Sequence, residues 1–193
     1  MLKRKKEFQD LTKTKEGHVY HDLSYDMEYR KMKRTLVERL DQGPVICAEG
    51  FLFEVEKRGY LASGEFVPMV SLEHPEALEN LHKDFQHAGS DIVEAFTYNG
   101  HREKMRVIGK EELLQPLNRA ALKIAKKVAD NPVDGGEPNL MAGNISNSNI
   151  WKEGDNESKI EVHRMFSEMV EWAVDEGADI LTVSYTHLTL PTN

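Results

Sequence analysis

Residues 91–98 of this chain read Asp-Ile-Val-Glu-Ala-Phe-Thr-Tyr, a short and largely apolar run that closes on polar residues. Three further runs of this kind lie along the sequence, at residues 44–50, 139–144 and 178–184. Each run is followed by a helical pattern or by the end of the sequence. Because near-continuous apolar strands that alternate with amphipathic helices have both sheet faces buried, the pattern indicates an α/β fold with a parallel sheet.

Apolar residues recur at helical spacing between these runs. The sequence predicts helices at residues 36–40, from His74-Pro75 onward, at residues 117–128 and at residues 162–174. Gly89 and Gly177 follow two of these helices and are typical helix caps. Strand and helix thus alternate as repeated βα units.

The positions of greatest functional interest follow from this architecture. In parallel α/β sheets the chemistry lies at the carboxyl ends of the strands. Residues 48–51, 97–99 and 144–148 occupy those ends here. We therefore expect the functional side chains among them.

The composition indicates a protein of a reducing, aqueous compartment. The net charge is -8, with acidic and basic residues mixed along the chain, which argues against a nucleic-acid partner. No run approaches the roughly 18 apolar residues of a membrane helix, and the basic start lacks the apolar stretch of a secretory signal. The single Cys47 forms no internal disulfide. We expect a cytoplasmic protein with no nucleic-acid and no membrane partner.

The sequence divides into three parts. Residues 1–35 are strongly charged with little apolar periodicity, which predicts a partly disordered extension. Residues 36–184 hold the βα units. No helical pattern follows the last predicted strand, so that strand is left without its covering helix. We interpret residues 185–193 as a non-native tail.

Five segments of the central part resemble the betaine–homocysteine S-methyltransferases and the wider homocysteine S-methyltransferase family. They are residues 45–60, 73–77, 87–91, 95–98 and 140–146, in the family's order. The family fold is a (β/α)8 TIM barrel, which usually takes roughly 250 residues. The resemblance therefore implies that this chain of 193 residues holds about the first four βα units of that barrel.

The resemblance implies an enzyme that moves a methyl group from betaine or a similar methyl donor to homocysteine, giving methionine. Family members use zinc, which binds homocysteine as a thiolate because the thiolate is the nucleophile. The three zinc-binding cysteines of the family lie beyond the region that this chain covers. We therefore expect no metal site and no catalytic residue here, and we interpret the chain as an inactive fragment of an enzyme that self-associates when full length.

The resemblance also implies substrate-binding residues after the first predicted strand. Glu49, Gly50 and Phe51 fall in the loop that helps to hold homocysteine in the family. Gly50 and Phe51 match the family pattern, whereas Ala48 stands at the family's aspartate and the carboxylate comes one place later, at Glu49.

The second predicted strand supplies three more such residues. Glu94 stands at a family glutamine near the amino acid, and Thr97 matches the family outright. Tyr98 stands at a phenylalanine that lines the methyl-donor site, where an aromatic ring attracts a quaternary ammonium group. On the last predicted strand, Ser184 stands at the glutamate that grips the substrate's amino group in the family.

Plainer interpretations of these residues remain open. Glu49 is equally read as a solvated loop carboxylate, Glu94 as a structural carboxylate with satisfied hydrogen bonds, and Tyr98 as barrel packing. Cys47 is most simply a small buried residue. The remaining candidates are histidines: His82 and His87 are not expected to share a helix face, and His101 is expected in a loop.

Two other functions compete with the enzyme fragment. One is a genuine short protein without catalysis, a half-barrel that pairs with a second copy to cover its open edges. The other is a compact α/β domain with some other small-molecule role. That role would call for a phosphate-binding glycine loop after a strand, and the sequence contains none.

Overall fold

The computed structural model describes residues 33–62 and 68–183. Within these residues the chain forms a parallel three-stranded sheet, whose strands are β1 (Ile92–Glu94), β2 (Leu140–Ile145) and β3 (Ile180–Val183). The helices are α1 (Leu36–Leu40), α2 (Phe51–Lys57), α3 (Val70–Glu73), α4 (Pro75–His87), α5 (Arg102–Val107), α6 (Leu114–Ala129) and α7 (Asn156–Asp175), with a 3₁₀ turn at Glu111–Leu113.

The strand pairing confirms the predicted parallel sheet. β1 pairs with β2 through the register Ile92–Leu140, and β2 pairs with β3 through Ala142–Ile180. Among the described residues the sheet order is β1-β2-β3, the order of the chain. Sequential parallel strands joined by helices are the βα units that the alternating pattern predicts.

The first of the four predicted strands is only partly realised. Residues 44–50 contain a single parallel bridge, from Cys47 to Ile92, and no regular strand. The Ile46 carbonyl accepts the Asp91 N–H at 2.8 Å, but the Ala48 N–H donates to the Ser90 hydroxyl at 3.0 Å. A side chain thus takes the place of a strand carbonyl, and the ladder ends after one bridge.

Each face of the sheet has its own apolar layer. Val93, Ala95 and Met141 pack against α6 and α7, and the members of this layer from those helices are Leu114, Leu117, Leu122, Ala125, Val128, Ala129, Met169, Trp172 and Ala173. The opposite face, which we call the inner face, carries Ile92, Leu140 and Ala142. The partly buried residues packed on the inner face are Leu36, Val45, Cys47 and Ile180.

The three long helices and the short α1 agree with the predicted ones, whereas three other short helices were missed. α4, α6 and α7 cover the predicted helical segments, and Pro75 occupies the first turn of α4 as expected. α2, α3 and α5 were not predicted, because four to seven residues offer too few periodic positions to be recognised.

Two aspartates align the starts of neighbouring strands through paired hydrogen bonds. The Asp179 N–H donates to the Met141 carbonyl at 2.8 Å, while the Asp179 carboxylate accepts the Met141 N–H at 2.7 Å. Asp91 makes the same pair of hydrogen bonds with Ile46, both at 2.8 Å. Each aspartate follows a glycine of positive φ, Gly177 at 79° and Gly89 at 99°, which ends the preceding helix. The carboxyl ends of the strands therefore meet at one edge.

Several expectations fall outside the described residues. Most of the 1–35 extension, Ser184 and the 185–193 tail lie there, so the statements about them stay predictions. Within the described part, Thr35 starts α1 with a capping box to Glu38. No helix in the described part has the length and apolar character needed to span a membrane.

Candidate functional site

A buried carboxylate lies on the inner face, near the carboxyl end of the sheet. Glu94, at the end of β1, is only 3% exposed. The Asn144 side-chain amide donates to Oε1 of Glu94, and the Thr182 hydroxyl donates to Oε2 at 2.8 Å. The Cys47 thiol lies 3.7 Å from the same Oε2 as a weak donor. Glu94 thus connects its own strand to β2, β3 and the bridged segment 44–50.

The surroundings of Glu94 shift two pKa values upward. Burial raises the pKa of Glu94, and the negative charge of Glu49 adds to this effect, while the hydrogen bonds from Thr182 and Asn144 oppose it. Burial, followed by the charges of Glu94 and Glu49, raises the pKa of Cys47 to about 12. Cys47 therefore keeps its proton at neutral pH and acts as a hydrogen-bond donor. Because the thiolate is the nucleophilic form of cysteine, this protonated thiol is not a nucleophile.

The predicted first-loop residues are placed in two different environments. Glu49 is exposed, and within the described part of the chain no hydrogen bond or ion pair engages its carboxylate. Gly50 precedes α2 with φ of 89°, a conformation that favours glycine. Phe51 is buried, with its ring stacked on Phe96 at 5.5 Å. Its edge-on contacts are Phe85 at 5.0 Å and His82 at 5.1 Å. Phe51 thus anchors the loop in the core, and Glu49 is presented to solvent.

Thr97 connects the loop after β1 to β2. Its hydroxyl donates to the Asn144 carbonyl at 2.6 Å and accepts the Asn144 N–H at 3.1 Å. Both hydrogen-bonding functions of this hydroxyl are therefore used by the backbone of the neighbouring strand. The next residue, Tyr98, is partly buried and packs against the apolar cluster that contains Phe51.

Three polar residues of this region were not named individually as site residues, although Asn144 falls within residues 144–148, where the strand-end rule places functional side chains. Asn144 and Thr182 are each the second-to-last residue of an otherwise largely apolar strand, which is the signal that would have identified them. Asn118 lies inside the apolar stripe of α6 and is 1% exposed. A polar side chain on the buried stripe of a helix calls for a partner, so its position was itself a signal.

Two histidines are buried rather than exposed. Burial lowers the pKa of His82 to about 3, and within the described residues neither ring nitrogen of His82 has a hydrogen-bond partner. His101 precedes α5 and its Nδ1 accepts the Lys104 N–H at 3.4 Å. Burial lowers the pKa of His101 to about 4. Neutral, enclosed imidazoles of this kind are packing and capping groups.

The described residues do not fit a zinc site. Residues 33–62 and 68–183 contain no group of three or more His, Cys, Asp or Glu side chains that could hold a metal ion. Cys47, the one cysteine of the sequence, is half-buried and protonated beside two carboxylates. Protein zinc sites use three or four ligand side chains, and no such set surrounds Cys47 in the described part of the chain.

Comparisons with known proteins point to one family. The family model described as homocysteine S-methyltransferase matches residues 45–190. Betaine–homocysteine S-methyltransferase 1 of Mus musculus is 34% identical over 161 residues, which cover 81% of this chain and 38% of the relative. The S-methylmethionine–homocysteine S-methyltransferase of Pongo abelii is 33% identical over 154 residues, covering 79% of this chain and 39% of that protein. The chain thus spans well under half the length of these curated relatives.

The solved structures agree on the fold. The metallated form of the homocysteine methyltransferase MmuM from Escherichia coli superposes with a TM-score of 0.60 at 22% identity. The superposition covers 76% of this chain and 55% of that one. The oxidised form of the same protein gives a TM-score of 0.58 at 24% identity. The small parallel sheet with its helices therefore follows the arrangement seen in those structures.

Proposed function

This chain belongs to the homocysteine S-methyltransferase family, and we propose that it takes part in the transfer of a methyl group to the sulfur of homocysteine, which gives methionine. In that reaction the sulfur forms a bond to the methyl carbon while the bond from that carbon to the positively charged donor atom breaks. The donor atom leaves without its charge, and the thiol proton passes to solvent.

The observation that carries the proposal is the pair of carboxylates at the carboxyl edge. Glu49 is exposed without a partner in the described part of the chain, and its charge reaches both Glu94 and Cys47. Glu94 already accepts hydrogen bonds on both oxygens. Glu49 therefore binds the α-ammonium group of homocysteine directly, and Glu94 strengthens the negative potential beneath it.

The loop after β1 supports the methyl donor. The names of the two relatives differ in the donor, betaine in one and S-methylmethionine in the other. Both donors carry their methyl group on a cationic atom. The Tyr98 ring provides an aromatic face for such a cation, an attraction worth about 0.5–2 kcal/mol. The other predicted residues shape the backbone of the two loops. Gly50 starts α2, Phe51 packs in the core, and Thr97 hydrogen-bonds to β2.

Zinc has no assigned step in this proposal. The described residues offer no cluster that fits the metal, so the chain's own contribution is binding and orientation of the two substrates. We propose that a metal, where the reaction uses one, is held by residues other than those of the described part of this chain.

The test is a calorimetric titration of the chain with L-homocysteine under reducing conditions. A charge-assisted hydrogen bond contributes about 1.5–3 kcal/mol, so Glu49→Gln is expected to weaken binding by about tenfold or more. Glu171→Gln is the matched control, since Glu171 is an exposed carboxylate on α7. Absence of binding by the unsubstituted chain, or equal affinity for Glu49→Gln, contradicts the proposal.

A second candidate function is self-association through the sheet edges. Among the described residues β3 is an edge strand, with Val183 54% exposed. At the other side, Ile46 of the bridged segment 44–50 is 56% exposed. Unpaired edges with exposed apolar residues favour pairing with another chain. Light scattering after size exclusion tests this: a mass twice that of the chain, lost in Val183→Lys, supports a dimer, and a monomer contradicts it.

A further inference from the structure

The loop at residues 97–101 carries Thr97 and Tyr98 and must hold a defined shape to present them. Asn99, in its middle, adopts φ of 60°, in the left-handed region. The Gly100 N–H donates back to the Thr97 carbonyl at 2.8 Å, which closes a tight turn. A non-glycine residue in this region persists where surrounding contacts hold it in place. The contacts that hold this loop therefore bear on the site.

One of these contacts comes from α6, through Asn118. The buried Asn118 amide donates to the Gly100 carbonyl at 2.6 Å and to the Leu114 carbonyl of its own helix at 2.8 Å. Gly100 lies directly against this side chain. A Cβ built on Gly100 would come within 2.9 Å of the Thr97 carbonyl oxygen and 3.2 Å of Asn118 Oδ1. The fit is thus specific to a glycine in the loop and an amide on the helix.

The two ends of the loop are tied to different elements. Thr97 is tied to the β2 backbone at Asn144, and Gly100 is tied to α6 through Asn118. Tyr98 lies between these two ties, so its position depends on both. Thr97 was expected from the sequence to be a site residue. Asn118 was not, because it lies within α6 and, along the sequence, far from the end of any strand.

We propose that Asn118 is a positioning residue for the methyl-donor side of the site: it fixes the 97–101 loop against α6 and so sets the place of the Tyr98 ring. This inference rests on the proposed function. Glu49, which binds the amino acid, lies on a separate segment, and within the described residues Asn118 makes no hydrogen bond to that segment. Loss of the Asn118 amide therefore affects the donor and leaves homocysteine binding intact.

The experiment compares Asn118→Ala, Asn118→Ser and Asn131→Ala in the full chain. A helical serine bonds the carbonyl four residues back, so Asn118→Ser keeps the bond to Leu114 and loses the bond to Gly100. It also serves if Asn118→Ala fails to fold. Asn131 is the matched control, because its amide donates to the Lys127 carbonyl at 2.8 Å from an exposed position.

The first measurement is amide hydrogen exchange. Loss of one hydrogen bond that closes a loop is expected to speed exchange at residues 98–101 about tenfold in both Asn118 variants. Amides in the centres of α6 and β2 keep their protection, and Asn131→Ala leaves the loop unchanged. Unchanged loop exchange, or an equal rise across the whole core, overturns the proposal.

The second measurement titrates betaine in the presence of saturating L-homocysteine. The Asn118 variants are expected to raise the Kd for betaine about tenfold and to leave the Kd for homocysteine unchanged, a split that general destabilisation does not produce. Equal weakening of both ligands, or an unsubstituted chain that binds homocysteine but not betaine, overturns the donor-side role. If the unsubstituted chain binds neither, the proposed function fails, and hydrogen exchange alone decides whether Asn118 holds the loop.

Discussion

Cys47 shows how one residue gains its chemistry from its neighbours. The thiol is half-buried, lies 3.7 Å from Glu94 Oε2, and is influenced by the charge of Glu49. Burial and the two carboxylates all disfavour a thiolate, so the pKa of Cys47 is raised to about 12. The residue is a half-buried hydrogen-bond donor, less enclosed than the small buried residue that the sequence suggested.

Replacement of Glu94 by glutamine is expected to make Cys47 more reactive. The substitution removes the larger of the two charges that raise the pKa of Cys47, while burial, the largest cause, remains. The pKa therefore falls toward, but not to, its ordinary value of 9.0. Each unit of decrease raises the thiolate fraction about tenfold. The rate of alkylation by iodoacetamide at pH 8.5 measures the change directly, because the sequence has a single cysteine.

Two controls accompany this measurement. Glu171→Gln removes an exposed charge on α7 and is expected to leave the alkylation rate as it is. Alkylation in guanidinium gives the rate of the fully exposed thiol for every variant. A Glu94→Gln chain that reacts no faster than the unsubstituted chain would show that the carboxylate does not control Cys47.

At the scale of elements, the contact between β2 and α7 depends on the absence of one side chain. A Cβ built on Gly143 would lie 2.9 Å from the Ala173 Cβ and 2.9 Å from a Leu181 methyl group. Gly143→Ala therefore pushes α7 and β3 away from β2. Added volume in a packed interior costs about 1–3 kcal/mol, and we expect a loss of this size in the free energy of unfolding. Urea denaturation measures it.

Gly136→Ala is the control for this prediction. Its φ is not in the left-handed region, and the nearest atoms to an added Cβ belong to the end of the Asp134 side chain, which can move. We expect a change within about 0.5 kcal/mol. Equal effects of the two substitutions would show that the β2–α7 contact has room for a methyl group.

The aspartates that start the strands allow a second prediction at this scale. Asp179→Ala leaves the N–H of Met141, a fully buried residue, without its acceptor. An unsatisfied buried donor costs about 1–3 kcal/mol. Asp91→Ala is expected to cost less, because Ile46 is exposed and water replaces the lost carboxylate. Urea unfolding of both variants checks the order, and a larger loss for Asp91→Ala contradicts it.

At the scale of the whole molecule, the buried histidines make stability depend on pH. The pKa values of His82 and His101 are lowered to about 3 and about 4 in the folded chain, below the ordinary 6.5. As the pH falls below 6.5, the unfolded chain takes up protons that the folded chain refuses, so the free energy of unfolding decreases. Each histidine contributes at most about 1.4 kcal/mol per pH unit. The raised pKa of Glu94 acts in the opposite sense over its own range.

His82→Leu isolates one of these contributions. The variant is expected to lose less stability than the unsubstituted chain between pH 6.5 and 4, because its unfolded state gains one proton fewer. His87→Leu, on the exposed side of the same helix, is the control and is expected to keep the original pH dependence. Urea denaturation across this pH range is the measurement. An unchanged slope in His82→Leu would contradict the assignment.

Much of the architecture follows from the sequence alone. Apolar runs that alternate with amphipathic helices predicted the parallel strands β1, β2 and β3 and the long helices α4, α6 and α7. This was possible because burial of both sheet faces imposes a repeating pattern of apolar residues on the sequence. The carboxyl-end rule selected Glu49 and Thr97, and the resemblance selected the family. All of these features depend on patterns of residues that lie close together in the sequence.

Only the tertiary structure decided what each selected residue does. Thr97 and Phe51 stay predicted substrate-binding residues, and the structure adds their contacts with the β2 backbone and with the aromatic cluster. Asn118 approaches Gly100 across 18 positions of sequence, and Thr182 approaches Glu94 across 88. Hydrogen bonds and pKa shifts depend on the distance between groups and on their burial. Neither quantity can be read from the separation of the groups along the sequence, because folding alone brings them together.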